Sequence, residues 1–289
     1  MRRLRFQIDL HRLTVLNVAR DLLREALTRR WFLALFIGIT LILLTLGMSL
    51  EMDVVDGALA GVRLFGSVLD TSVRSVDTAL RPVFMAGAAL IFYGGTAFMI
   101  VASSDFAPSL LSPGRIEHLL SLPVRRWELI AGTYLGVLVL SVLCALYGAG
   151  GLAAILGLKT GVWTWGPILA ALLAVANFAT VYAAMVASAI FARSTALSAA
   201  VGVSLFAFGI VAGLRERIAP LFQEGLGRAA FEAATLAVPR VSTLGTAAVD
   251  IAGARPIDHG AFAFLMVGFG LFALALLALG AWRFEQRDF

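Results

Sequence analysis

Few side chains in this sequence are of a kind that does chemistry, and their spacing excludes most of it. The histidines are His11, His118 and His259, and the only cysteine is Cys144. A serine or cysteine nucleophile needs a base within hydrogen-bond reach, but all three histidines lie outside the long uncharged runs of the chain. There is no His-Glu-x-x-His, and no pair of carboxylates at helical spacing within those runs. A single cysteine excludes a disulfide framework and any Cys-rich zinc or iron–sulfur site. Gly157-Leu158-Lys159-Thr160 faintly resembles the end of a phosphate-binding loop, but that motif needs Gly directly before Lys and Leu158 intervenes. The sequence therefore assigns no catalytic residue, no metal ligand and no cofactor to this chain.

The elements around these residues are those of a membrane protein. Of 289 residues, 60% are hydrophobic and 14% charged, with a mean hydropathy of +0.93. A soluble domain is nearer half apolar and a quarter charged. The uncharged runs predict six transmembrane helices over about 31–50, 83–104, 129–158, 160–192, 194–214 and 260–282. About 20 apolar residues at ~1.5 Å each cross a hydrocarbon core ~30 Å thick. The runs lack strand-like alternation, so helices rather than a barrel are expected. Runs 129–158 and 160–192 exceed one bilayer, which predicts projection beyond it or a bend near Gly148–Gly151. The reading is a single all-α transmembrane domain over 1–289.

Charge sets the orientation. Eight arginines precede the first span, which places that end in the cytoplasm by the positive-inside rule. Six spans return the C-terminus to the same side. The predicted inner segments then hold 14 Lys/Arg against 8 Asp/Glu, and the outer ones 9 against 10. The net charge of +5 is thus a topology signal, and nucleic acid is not an expected partner. Residues 15–30 read as a basic amphipathic helix, with Leu16, Ala19, Leu23, Ala26 and Leu27 on one face. It suits either the membrane interface or a simple positive anchor.

No Asp, Glu, Lys, Arg or His lies inside the spans, which counts against an ion-coupled carrier, since coupling needs ionisable groups at membrane depth. Tyr134, Asn177 and Tyr182 are candidates for lining a passage or for contacts between helices, and Asn177 is the most unfavourable to leave facing lipid. Gly132-xxx-Gly136 and Gly209-xxx-Gly213 suggest close helix approach.

Two connections stand out. The outer loops are 51–81 and 215–258. In the first, Val55, Leu59, Val62, Leu69, Val73, Val76 and Leu80 recur at a 3.5-residue period, which predicts a helix with one apolar seam, ended by Pro82. Its seam would meet the membrane, the chain's own outer loop, a second copy or an extracytoplasmic protein. The inner loop, 103–127, holds Pro113-Gly114 and Pro123, which bound two helical turns over 115–122. Ile116, Leu119 and Leu120 give those turns a small apolar face that needs a groove, on this protein or on a partner.

The stretch "IEHLLSLPVRRWELIAGTYLG" resembles the second cytoplasmic segment of ABC-2-type transporter permeases, with matches at Glu117, Leu119, Leu120, Pro123, Val124, Arg126 and Gly132. "VARDLLREALTRRWF" resembles that family's connecting helix, and "RFEQRDF" its basic-aromatic-Asp tail. Ser112-Pro113-Gly114-Arg115 replaces the family's usual acidic run, and Thr133 stands where Lys is common. The resemblance implies a multi-pass protein of the bacterial inner membrane that pairs with a second permease copy, identical or homologous. It also implies a separate cytoplasmic ABC ATPase, which would bind ATP and Mg. The coupling residues would be Arg115, Ile116, Glu117, His118, Leu119, Leu120 and Ser121. The expected function is substrate export, or force transmission to an extracytoplasmic partner as in complexes that mature metalloenzymes. A lipid scramblase or structural membrane subunit working without ATP is the alternative.

The orientation is directly testable. With Cys144→Ala as background, a cysteine at residue 289 is expected to react with an impermeant maleimide only after cells are opened. Labelling from outside intact cells overturns the six-span map.

Overall fold

The computed structural model describes residues 2–28, 30–55, 58–64, 67–70, 74–112, 114, 116–117 and 125–286; within 2–14, 30–31, 50–74 and 76–77 only the backbone path is described. Helix α1 (Arg2–Thr28) leads into α2 (Arg30–Ser49), the first span. Four short strands follow, β1 (Leu50–Val55), β2 (Ala58–Leu64), β3 (Ser67–Asp70) and β4 (Arg74–Ser75). The second span is composite: α3 (Val76–Ala89), a π-helical stretch over Leu90–Gly95, α4 (Thr96–Ser103) and α5 (Phe106–Leu110). Then come α6 (Arg126–Thr160), α7 (Gly166–Ala192) and α8 (Thr195–Gly213). Short helices α9 (Arg215–Ile218), α10 (Leu226–Leu236) and α11 (Val241–Ala252) precede the last span, α12 (His259–Glu285). Among the described residues, six helices, the composite second span counted as one, are long and apolar enough to cross a membrane. The bundle has a sheet end, where the strands and α9–α11 lie, and a loop end, which carries the connection between the second span and α6.

Helix α7 is the axis of the bundle. It is buried over 67% of its most apolar stretch, against 6% for α2 and 11% for α12, and it packs on α3, α4, α6, α8, α11 and α12. Ten of its 27 residues are alanine, which keeps helix propensity high while letting neighbouring backbones approach. Where neighbours touch it, buried hydroxyls spend their hydrogen bonds on backbone oxygens. Ser198 Oγ donates to Met185 O (3.1 Å) and Thr180 Oγ1 to Phe269 O (3.4 Å).

Helix α6 runs unbroken through Gly148–Gly151 and ends at Gly161, whose φ of +75° is the left-handed cap that glycine favours. At 35 residues it is ~52 Å long, more than the ~30 Å that a hydrocarbon core requires. Its first turns are sheathed by α1. A Cβ on Gly132 would lie 2.7 Å from Val18 Cβ, and one on Gly136 would lie 3.1 Å from Ala19 O. The Gly132-xxx-Gly136 spacing is therefore the seat of α1, and Val18, Ala19 and Leu22 fill it. At the other end of the bundle, Gly209 and Gly213 seat the start of α11, with Ser242 Oγ donating to Ile210 O (2.8 Å). Arg126 Nη1 donates to Phe284 O and Glu285 O, both at 3.2 Å, so the first residue of α6 caps the last carbonyls of α12.

The first outer connection corrects the sequence reading. Val55, Leu59, Val62 and Leu69 lie on strands, not on one helix seam. Strand β2 is central, antiparallel to β1 (Glu51 opposite Arg63) on one side and to β3 and β4 on the other. Val73 lies outside the described residues, and only Val76 and Leu80 are helical, in α3. Pro82 sits inside α3 instead of ending a helix before it. The physical reason is local. Leu50, Met52 and Val54 alternate with Glu51 and Asp53 at a period of two, and Asp56-Gly57 between Val55 and Ala58 is a two-residue hairpin signal. Those short-range features outweigh a 3.5-residue spacing that Gly66 already interrupts.

The glycine seat makes a quantitative contrast. Gly132→Ala forces an overlap whose relief costs about 1–3 kcal/mol, more than the ~1 kcal/mol gained in helix propensity. At Gly148 an added Cβ meets nothing within 4 Å, so Gly148→Ala keeps the propensity gain. Thermal unfolding in detergent is expected to show a lowered Tm for Gly132→Ala and an unchanged or raised one for Gly148→Ala. Equal shifts would mean that close approach does not hold α1.

Candidate functional site

The site grows out of the way α2 is mounted. It packs on α6, where Thr40 Oγ1 and Tyr147 OH lie 2.7 Å apart and the Phe36 and Tyr147 rings 4.8 Å apart. Leu43 and Ile155 close the same seam against Gly151 and Gly47. Helix α2 stands off the second span, and the gap is a cleft of about 790 Å³, open on one side, with α6 and α7 as its back wall. Leu35, Leu43, Ile91 and Phe178 are among its aliphatic and aromatic walls. Its polar atoms belong to Thr96, Ser141 and Cys144.

The wall contributed by the second span contains the π-helical stretch. A π turn bonds i to i+5, is wider than an α turn, and recurs at functional sites. Here Leu90, Ile91, Gly94 and Gly95 line the cleft, and an added Cβ at Gly95 would meet nothing within 4 Å. On the far side of the same stretch, Phe92 and Tyr93 pack on Gly245 of α11. One unusual helical segment thus faces the cleft on one side and the sheet-end helix α11 on the other.

The polar residues singled out from the sequence gather on α7 and tie it to its neighbours. Asn177 is fully buried and its Nδ2 donates to Thr96 Oγ1 (3.3 Å), just past the π stretch. Its Oδ1 has no hydrogen-bond partner among the described residues. Tyr134 OH donates to Ala179 O (3.0 Å). Tyr182, 1% exposed, stacks between Tyr134 and Phe178 at 5.9 and 5.5 Å. None of the three lines the cleft; Thr96 is the link between Asn177 and its surface.

At the loop end, Ile116 is 3% exposed and belongs to the chain's own core, while Glu117 is exposed. Ile116 N donates to Ser112 O (3.2 Å). The groove that accepts Ile116 is therefore on this protein. Arg115, His118, Leu119, Leu120 and Ser121 lie outside the described residues. Among the described residues no group of three His, Cys, Asp or Glu is placed to hold a metal ion.

Comparison with protein families now adds one decisive match: the ABC-2 family transporter protein family, over residues 16–289. The chain belongs to that family. No curated protein matches it. It is accordingly a permease-type, multi-pass membrane subunit, of a family that generally works with a cytoplasmic ABC ATPase. In this permease, sequence reasoning missed two features of the site. Helix α11 is apolar but only 12 residues long, ~18 Å, so no hydropathy window for a span finds it. The π stretch leaves the Gly94-Gly95 pair as its sole sequence trace.

Asn177 separates a structural from a passage-lining role. Interhelical hydrogen bonds in membranes average about 0.6 kcal/mol, so Asn177→Leu, which also removes the unpartnered oxygen, is expected to change stability by under about 1 kcal/mol. Asn177→Asp buries a charge and is expected to destabilise by several kcal/mol. Unfolding in detergent checks both; equal losses for the two variants would refute the helix-contact role.

Proposed function

We propose that this chain is the transmembrane subunit of an ABC-2 transporter whose separate cytoplasmic ATPase works on the loop end, two permease copies forming the complete membrane unit. The observation that carries the reading is mechanical. The loop over 111–125 joins the two helical walls of the cleft, the second span and α6, and its Ile116 is anchored in the core they share. Force applied to exposed Glu117 reaches that core through the adjacent Ile116. In the second span that force reaches the π stretch at mid-helix, where a change in hydrogen-bond register needs little energy compared with breaking an α-helix. Widening or closing the cleft then follows from moving the second span against α2, which is held by α6.

The cleft's apolar lining suits a substrate with a hydrocarbon part, exported along or through it. Force transmission to an extracytoplasmic partner is the second reading, and a specific observation favours it: β1 continues directly from α2 and β4 leads into α3. The sheet is thus mounted on both cleft walls and would move with them. On this proposal ATP and Mg are bound by the ATPase, the membrane is the bacterial inner membrane, and both termini lie in the cytoplasm.

Leu119→Asp tests the coupling. A carboxylate forced unpaired into a docking groove costs several kcal/mol, enough to abolish binding. With the permease reconstituted alongside its genomic-neighbour ATPase, the variant is expected to insert normally and to lose stimulation of ATP hydrolysis. Glu117→Arg is expected to weaken it. Wild-type stimulation in Leu119→Asp removes the basis of the coupling assignment.

A further inference from the structure

From the outward face of α1, we infer a binding surface for anionic phospholipid headgroups. Ala19, Leu22 and Ala26 are buried on the α6 side of this helix. A second apolar stripe runs beside the buried one: Leu16 and Leu27 are 61% and 67% exposed, and Leu23 between them is half-buried against the core. Spacings of seven and four place these three on one line of the helix. Arg20 and Arg24, both exposed, border that line, with Asp21 further round. Neither arginine makes a side-chain hydrogen bond or ion pair with another described residue, and two leucines with two flanking cations are the pattern of a helix seated at the boundary of acyl chains and headgroups.

The level of α1 along the bundle agrees. Val18 and Ala19 sit on Gly132 and Gly136 of α6. Beside that seat, Leu135, Val139 and Leu143 form an exposed apolar row, 43%, 43% and 51% accessible, as hydrocarbon contact requires. Trp127 and Trp282 are exposed at 40% and 57% toward the loop end, where indole rings favour the interface. Because Val15 and Val18 lie against Gly132 and Ala19 and Leu22 against Gly136, the stripe of α1 begins near the tryptophan level and runs alongside the hydrocarbon-facing row. Leucines there enter the acyl boundary, and guanidinium groups at the same height meet phosphates, which they bind in forked geometry. A zwitterionic headgroup offers the phosphate with its own cation beside it; an anionic one leaves the phosphate charge uncompensated, so it is the preferred ligand. The proposed function matters here only in naming the leaflet as the cytoplasmic one.

The test uses the full chain in nanodiscs with the same composition in both leaflets, so that it is independent of orientation and of any ATPase. Nanodiscs of phosphatidylcholine mixed equally with phosphatidylglycerol are compared for wild type and the Arg20→Gln, Arg24→Gln double variant. Lipids retained by the permease after gentle extraction are counted by mass spectrometry. Wild type is expected to retain phosphatidylglycerol preferentially. Each basic residue near an anionic surface contributes roughly fivefold, so the preference is expected to fall by up to about thirtyfold in the double variant, and to weaken in high salt. In a Cys144→Ala background, an environment-sensitive dye on Leu27→Cys is expected to be quenched by brominated acyl chains, while one on Asn17→Cys remains wet. An unchanged lipid ratio in the double variant overturns the headgroup site. A dye at residue 27 that stays in water, or is covered only when ATPase or a second permease is added, assigns the stripe to a protein partner and overturns it as well.

Discussion

Helices in a bilayer gain nothing from hiding apolar surface from lipid, so the bundle depends on how closely their backbones can approach. That constraint explains why small residues occupy the decisive positions. The alanines of α7 admit eight neighbouring elements, α5 and the π stretch among them, and paired glycines seat α1 on α6 and α11 on α8. Where approach is close, dispersion contacts accumulate and hydroxyls reach carbonyls across the seam. Small residues alone do not suffice: Gly38 of α2 meets nothing within 4 Å, while Gly47 meets Ile155 of α6, so α2 is held along one seam and a cleft remains on its other side.

The same rule decides what a buried polar group does. Thr180, Ser198 and Ser242 join a helix to the backbone of another, so each is satisfied without a side-chain partner. Asn177 differs because an amide has both donors and an acceptor to satisfy, and Thr96 meets only one side. Its position next to the π stretch places the least satisfied amide of the bundle beside its least regular helical turn. Irregular backbone at membrane depth is tolerated where protein buries it or a cavity adjoins it, and the Leu90–Gly95 stretch has both, α11 behind and the cleft in front.

The spans were legible because membrane thickness imposes a length and charge exclusion imposes edges. Lys159, Arg193 and the arginines around residue 126 mark helix ends to within a few residues. The glycine pairs were legible as places of close approach but not as to which helix they receive, because spacing fixes a face and not its occupant. Two things were hidden. Helix α11 is too short for a transmembrane signal and has too few charges for a surface helix, so its sequence resembles neither. In 50–80, a heptad-like spacing at seven residues from Val55 to Leu80 coexists with a period of two at Leu50–Val54 and an Asp56-Gly57 hairpin signal. Local alternation outweighs the longer period because the heptad spacing is interrupted at Gly66.

The cleft itself was not legible, and the reason bears on function. A cavity is a relation between helices: its walls come from residues as far apart as Leu35 and Phe178, and none of them is unusual as a residue type. What distinguishes the cleft is that its two walls are held differently. Helix α2 is clamped to α6 by the Thr40–Tyr147 contact and two glycine seats. The second span is held to α7 at Asn177 and interrupted by the π stretch just before that point. A displacement entering from the loop end passes α5, the turn at Ser104–Asp105 and α4 before it meets the π register at Gly95. Under the proposed function, the energy of nucleotide-driven closure is spent on reshaping that one wall, and the rest of the bundle, packed through residues too small to deform, acts as the frame against which it moves.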